Sequence, residues 1–142
     1  MQIVETNTVV VGASAAGLAT AASLKRAGVP FELLEQSDRV GSAWHGHYER
    51  LHLHTSRGFS GLPYRPMPSS YPRYPSRAQV IEYLERYAAE LELVPRFGEH
   101  VETLRRVDGF WTASSKQREY RSRNVVVATG YTRKPKIPSF LD

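Results

Sequence analysis

Apolar and polar positions along the chain change period several times, and each change marks an element. Thr8 to Val11 is a four-residue run, too short and too β-branched for a helix, and it predicts a strand. From about Ala15 to Ala27 the apolar residues fall at helical spacing, with Leu18, Ala19 and Ala22 on the side that faces inward. Gly28 supplies a left-handed cap and Pro30 prevents continuation. Phe31 to Leu34 is a second apolar run, ending in Glu35. Strand, helix and strand at these lengths predict a βαβ unit with parallel strands.

Periodicity fails from Ser37 to Pro75, where Gly, Pro, His and Tyr alternate without a face. A loop of this length in a small domain is functional or disordered, and its aromatic residues between Trp44 and Tyr74 argue against disorder. Ser76 then opens a second helix through a capping box with Gln79, and Val80, Leu84, Tyr87, Ala88 and Leu91 form its apolar stripe before Pro95. After Gly98 the stretch HVETLRRV alternates, Asp108-Gly109 is a turn, and FWTAS and EYRSR continue as short strands, a three-stranded antiparallel meander. Asn124 to Ala128 reads as a further strand, and prolines keep the tail YTRKPKIPSFLD extended. The expected fold is α/β, a Rossmann-like dinucleotide-binding domain in which the meander serves as crossover.

The candidate chemistry lies at the first strand-to-helix turn. Gly12-Ala13-Ser14-Ala15-Ala16-Gly17 is G-x-G-x-x-G with serine in the middle position, and Glu35 follows 18 residues after Gly17. Gly12 permits the sharp turn. The small residue at 14 lets backbone amides approach a pyrophosphate, and Gly17 lets the helix pack closely. The helix N-terminus then faces the phosphates, and Glu35 accepts hydrogen bonds from an adenosine ribose. Glu35 suits the ribose of FAD or of NAD, so the turn alone does not separate the two.

Composition narrows the field. At 142 residues there is room for one domain with a real core. There is no cysteine, which excludes a disulfide framework, a thiolate nucleophile and a redox dithiol within these residues. No stretch is apolar enough for a membrane span and the N-terminus does not read as a leader, so a cytoplasmic protein is expected. The net charge of +5 sits entirely in residues 101–142, but its arginines match no nucleic-acid-reading motif, and no nucleic-acid partner is expected. His45 and His47, and His52 and His54, form two H-x-H pairs without a carboxylate or further histidine at supporting spacing. They read as loop residues and no metal is expected.

The ordered set of the fingerprint, Glu35, Gly41-Ser42-Ala43-Trp44, YERLHLHTS, YPRYPSRAQVIEYLERYA and ATGYTRKPKIP resembles class B flavin-dependent monooxygenases. Within that class it is most similar to the flavin-containing monooxygenases and their plant YUCCA relatives, over Val9 to Pro138. The resemblance implies FAD in the first nucleotide site and NADPH as hydride donor. Gly12, Ala13, Ser14, Ala15, Ala16 and Gly17 match the pyrophosphate turn, Glu35 the ribose acid, and Gln36 a position beside the adenosine. Ala43 and Trp44 match the segment along the flavin half, although an indole there also serves as an ordinary core aromatic. His54 and Thr55 fall beside the isoalloxazine ring, where His54 is the candidate catalytic residue. Val101 matches the main chain that meets adenine, and Ala128, Thr129 and Gly130 match the ATG motif closing the first half of the cofactor domain.

The resemblance further implies that residues 1–142 form a single FAD-binding domain, the N-terminal part of a flavoprotein with two dinucleotide domains. These residues hold no second fingerprint and no F-x-G-x-x-x-H signature of the NADPH domain. The implied function is insertion of one oxygen atom into a small organic substrate, with the site completed by another chain or a second copy. Two alternatives stay open: a non-catalytic or truncated FAD-binding module, and a nicotinamide-dependent dehydrogenase, whose Tyr-x-x-x-Lys pair is absent.

Overall fold

The two apolar runs become neighbouring parallel strands buried on both faces, which is why neither alternates. The computed structural model describes residues 1–131 and 136–141, so Thr132 to Pro135 of the expected extended tail lie outside the described residues. Its elements are β1 (Gln2–Val11), α1 (Ala15–Arg26), β2 (Phe31–Leu34), α2 (Ser42–His45), α3 (Arg57–Ser60), α4 (Arg77–Glu90), β3 (Thr103–Val107), β4 (Phe110–Ser114) and β5 (Arg118–Val127), followed by a 3₁₀ turn at Ser139–Leu141.

One sheet runs in the order β2-β1-β5-β4-β3. β1 pairs in parallel with β2 on one side and β5 on the other, and β3, β4 and β5 pair antiparallel. Val10 and Leu33 join α1 and α4 in the larger core, with Leu18, Ala21, Ala22, Val80, Leu84 and Tyr87. Their neighbours Val9 and Leu34 instead pack with Ala113 and Tyr120 of the meander. After α4 the chain passes once more along β2: the Arg96 amide donates to Leu33 O, the Glu35 amide to Arg96 O and the Glu99 amide to Glu35 O, at 2.8, 2.9 and 3.0 Å. A third parallel strand is thus reduced to a single bridge between Leu34 and Arg96.

Three sequence expectations are corrected. The third meander strand and the run from Asn124 are one strand, β5, whose first half pairs with β4 and whose whole length pairs with β1. β1 correspondingly begins at Gln2 rather than Thr8. On α1 the buried stripe is Leu18, Ala21 and Ala22, the i, i+3, i+4 set, and Ala19 lies at its margin, half-buried.

The segment between Ser37 and Pro75 is ordered by hydroxyls from α4, to whose tyrosines the sequence assigned no chemistry. Tyr83 accepts from the Leu62 amide and donates to Arg65 O, both at 2.6 Å. Tyr87 donates to Pro63 O at 2.8 Å, and Tyr71 ties back to Glu82 at 2.9 Å. The capping box at Ser76 and Gln79 is formed as expected.

Candidate dinucleotide site

The strand order reverses at β1, and at the carboxyl ends of the strands the chain leaves a crevice, where open α/β sheets bind ligands. Gly12 makes the turn. Its amide donates to Leu34 O at 2.7 Å, and the Ala128 amide closes the other side onto Val11 O at 2.8 Å. Gly12 has φ +107°, and a Cβ there would stand 2.5 Å from Ala128 O. A Cβ on Gly17 would stand 1.7 Å from Gly12 O, so α1 begins in direct backbone contact with the turn. Only glycine meets both demands.

Ser14 is the N-cap of α1, yet its side chain makes no capping hydrogen bond, and the first turn carries no acidic residue. The first-turn amides have no intrahelical acceptor, so they and the Ser14 hydroxyl are left as free donors at the positive end of the helix.

Glu35 is 4% exposed, and its carboxylate is already oriented: Oε2 accepts from the Ala13 amide and Oε1 from the Ser37 amide, each at 2.9 Å, with the Ser42 hydroxyl at 3.3 Å. These donors fix the carboxylate at the rim of the glycine turn. The second acid in the wall, Glu99, is also buried. Burial pushes its carboxyl up, but Ser115, Tyr120 and Arg118 outweigh that and hold it below the usual carboxylate range. The Ser115 hydroxyl donates at 2.5 Å and Arg118 forms an ion pair with it, whereas the Tyr120 hydroxyl faces it outside hydrogen-bond geometry. Burial pushes Tyr120 itself up to about 12. Glu99 thereby ties the passing segment beside β2 to the meander.

The cavity has a volume of about 650 Å³, within the range of ligand sites. Ten of the residues singled out from the sequence line it: Gly12, Ala13, Ser14, Glu35, Gln36, Ala43, Val101, Ala128, Thr129 and Gly130. Ala15, Ala16 and Gly17 sit behind it at the start of α1. Trp44 packs against the core and meets His47 edge to face at 5.8 Å. His54 and Thr55 are exposed and do not line the cavity; the Thr55 hydroxyl is 2.6 Å from that of Ser60. Sequence reasoning missed Ser42, Gly46, His47, Glu99 and His100 as lining residues. His100 has a local partner, its Nδ1 lying 2.7 Å from Gln36 Oε1 across the rim. Among the described residues no three His, Asp or Glu side chains gather where they would hold a metal, and no helix is long and apolar enough to cross a membrane.

Comparison with known proteins bears out the resemblance read from the motifs. Over 137 residues the chain is 42% identical to a probable indole-3-pyruvate monooxygenase, YUCCA9 of Arabidopsis thaliana, covering 92% of this chain and 32% of the relative. It is 43% identical over 136 residues to indole-3-pyruvate monooxygenase YUCCA1 of Oryza sativa subsp. japonica, covering 93% and 34%. The chain therefore spans about a third of the length of these relatives. Among solved structures, a flavin-containing monooxygenase from Stenotrophomonas maltophilia superposes with a TM-score of 0.88 at 28% identity, over 96% of this chain and 42% of that one. The family model described as pyridine nucleotide-disulphide oxidoreductase matches residues 9–141, and the chain belongs to that family.

Proposed function

We propose that the cavity binds FAD and that the chain is the FAD-binding part of an NADPH-dependent flavin monooxygenase, acting in the cytoplasm on a small organic substrate. The observation that carries this reading is the convergence on one cavity of the tight Gly12 turn, an uncapped helix N-terminus and a buried, pre-oriented Glu35. These residues fit the ADP half of the cofactor: small side chains where the backbone must approach phosphate, amides to receive it, and a carboxylate for the ribose. Gln36, His100 and Val101 would flank the adenosine, and Ala43 and Thr129 would border the part leading to the flavin, while Trp44, packed against the core, is assigned to the flavin half by the resemblance alone. His54 and Thr55 are assigned to the flavin ring by the resemblance alone.

Bound FAD would supply the redox and oxygen chemistry, which amino-acid side chains lack. The residues present supply binding, orientation and partial exclusion of water. Disulfide chemistry, which the family's description names, has no cysteine here to carry it.

FAD is favoured over a nicotinamide dinucleotide by the likeness to the flavin-containing monooxygenase from Stenotrophomonas maltophilia, at 28% identity and a TM-score of 0.88. A second reading, a module that binds FAD while another chain or a second copy completes the flavin pocket, is favoured by the exposure of His54 and Thr55. The test is purification with added FAD followed by gel filtration. Retained flavin absorbance supports the proposal; a colourless protein that retains NAD overturns it. NADPH consumption by the flavin-loaded protein then separates the enzyme from the module, which would show none above free flavin.

A further inference from the structure

We infer that Arg77 is a positioning residue for the cavity, holding the α2 wall in place from outside. This rests on reading the cavity as the FAD site. Arg77 is the first residue of α4, where a cation opposes the helix dipole. A residue that α4 itself disfavours points to a task elsewhere. Its half-buried guanidinium makes two hydrogen bonds, both to consecutive carbonyls of another element: Nε donates to Trp44 O at 2.8 Å and Nη2 to His45 O at 2.6 Å.

Those carbonyls end α2, a single turn too short to hold itself. Its start is fixed differently, by the Gly41 amide on Ala13 O at 2.9 Å and by a left-handed Gly41 packed against Leu84. Ser42 and Ala43 lie between the two anchors, Gly46 and His47 follow directly after the second, and these four residues form one wall of the cavity. Arg77 touches none of the cavity's interior; it acts through the backbone of the wall. The planar fork matches two adjacent carbonyls, a geometry that a lysine ammonium does not reproduce. The backbone of Arg77 is held as well, its amide donating to Leu51 O at 2.7 Å, so the fork has a rigid base.

The test uses the full chain with Arg77→Ala and Arg77→Lys. Hydrogen exchange of the His45, Gly46 and His47 amides is expected to rise about tenfold in Arg77→Ala and less in Arg77→Lys, with other helices unchanged. FAD affinity is expected to fall about tenfold in Arg77→Ala and to recover in millimolar methylguanidinium. Unchanged exchange in these amides overturns the inference, as does an affinity loss that guanidinium does not rescue. Failure of the parent chain to bind FAD overturns the function proposed above but leaves the exchange measurement to decide the role of Arg77.

Discussion

Replacing Gly17 by alanine is the sharpest perturbation this site offers. The new Cβ would stand 1.7 Å from Gly12 O and 2.8 Å from Gly12 C. Ordinary carbon to oxygen contacts lie near 3.3 Å, so α1 and the turn must part by more than about 1 Å. The obstacle is backbone on both sides, and no rotamer change relieves it. Overpacking of this kind costs about 1–3 kcal/mol, and with no soft neighbour the upper end applies. Alanine returns up to about 1 kcal/mol through helix propensity, leaving a net loss of about 2 kcal/mol. Binding suffers more. A shift of that size separates the first-turn amides from a phosphate, and losing two charge-assisted hydrogen bonds at about 1.5–3 kcal/mol each weakens FAD at least a hundredfold. The control is Gly28→Ala at the other end of α1, where φ is +69° and nothing lies within 4 Å. It should cost about 1–2 kcal/mol of left-handed strain and leave FAD affinity unchanged. Urea unfolding and FAD fluorescence titration read both quantities. Gly17→Ala binding FAD like the parent, or unfolding in urea at parental stability, would refute the close packing of helix on turn.

Three further outcomes are expected. Glu35→Gln places an amide donor against the Ala13 or Ser37 amide, and should lower stability by about 1–3 kcal/mol and FAD affinity by more than tenfold, read by the same titration. Tyr83→Phe strips partners from the Leu62 amide and Arg65 O and should cost about 1–2 kcal/mol in urea unfolding; its limited-proteolysis cut should move into the 61–66 loop. Because the Glu99 carboxyl is held below its ordinary range in the folded state, it contributes stability above the unfolded value of about 4.3 that is lost as pH falls through the lower folded value. Thermal unfolding of Glu99→Gln should therefore lose part of the acid-side decline seen in the parent, and an identical pH profile would contradict the pairing with Arg118.

The turn and βαβ unit were legible in the sequence because their geometry is dictated locally: Gly12 and Gly28 by positive φ, Gly17 by close approach, the two strands by unbroken apolar runs. β5 was misread as two strands because its environment changes along its length. Arg121 and Arg123 face water beside buried Tyr120 and Ser122, whereas Val125 and Val126 lie beyond the reach of β4 and pair with β1 alone on that stretch. The loop between Ser37 and Pro75 was opaque because its order comes from tyrosine hydroxyls and an arginine on α4, contacts that impose no period on the loop itself. Glu99 escaped for a related reason. A buried acid in an irregular segment gives no local signal, and its partners Ser115 and Arg118 lie across the meander.

The central claim, that this cavity holds FAD by its ADP half, is tested most directly by titrating the purified chain with FAD, FMN and ADP. A saturable change in FAD fluorescence is expected, with displacement of FAD by ADP and no comparable binding of FMN, which lacks the adenosine and one of the two phosphates that Gly12, Ser14 and Glu35 would grip. FMN binding as tightly as FAD, or FAD binding that ADP does not displace, would contradict it.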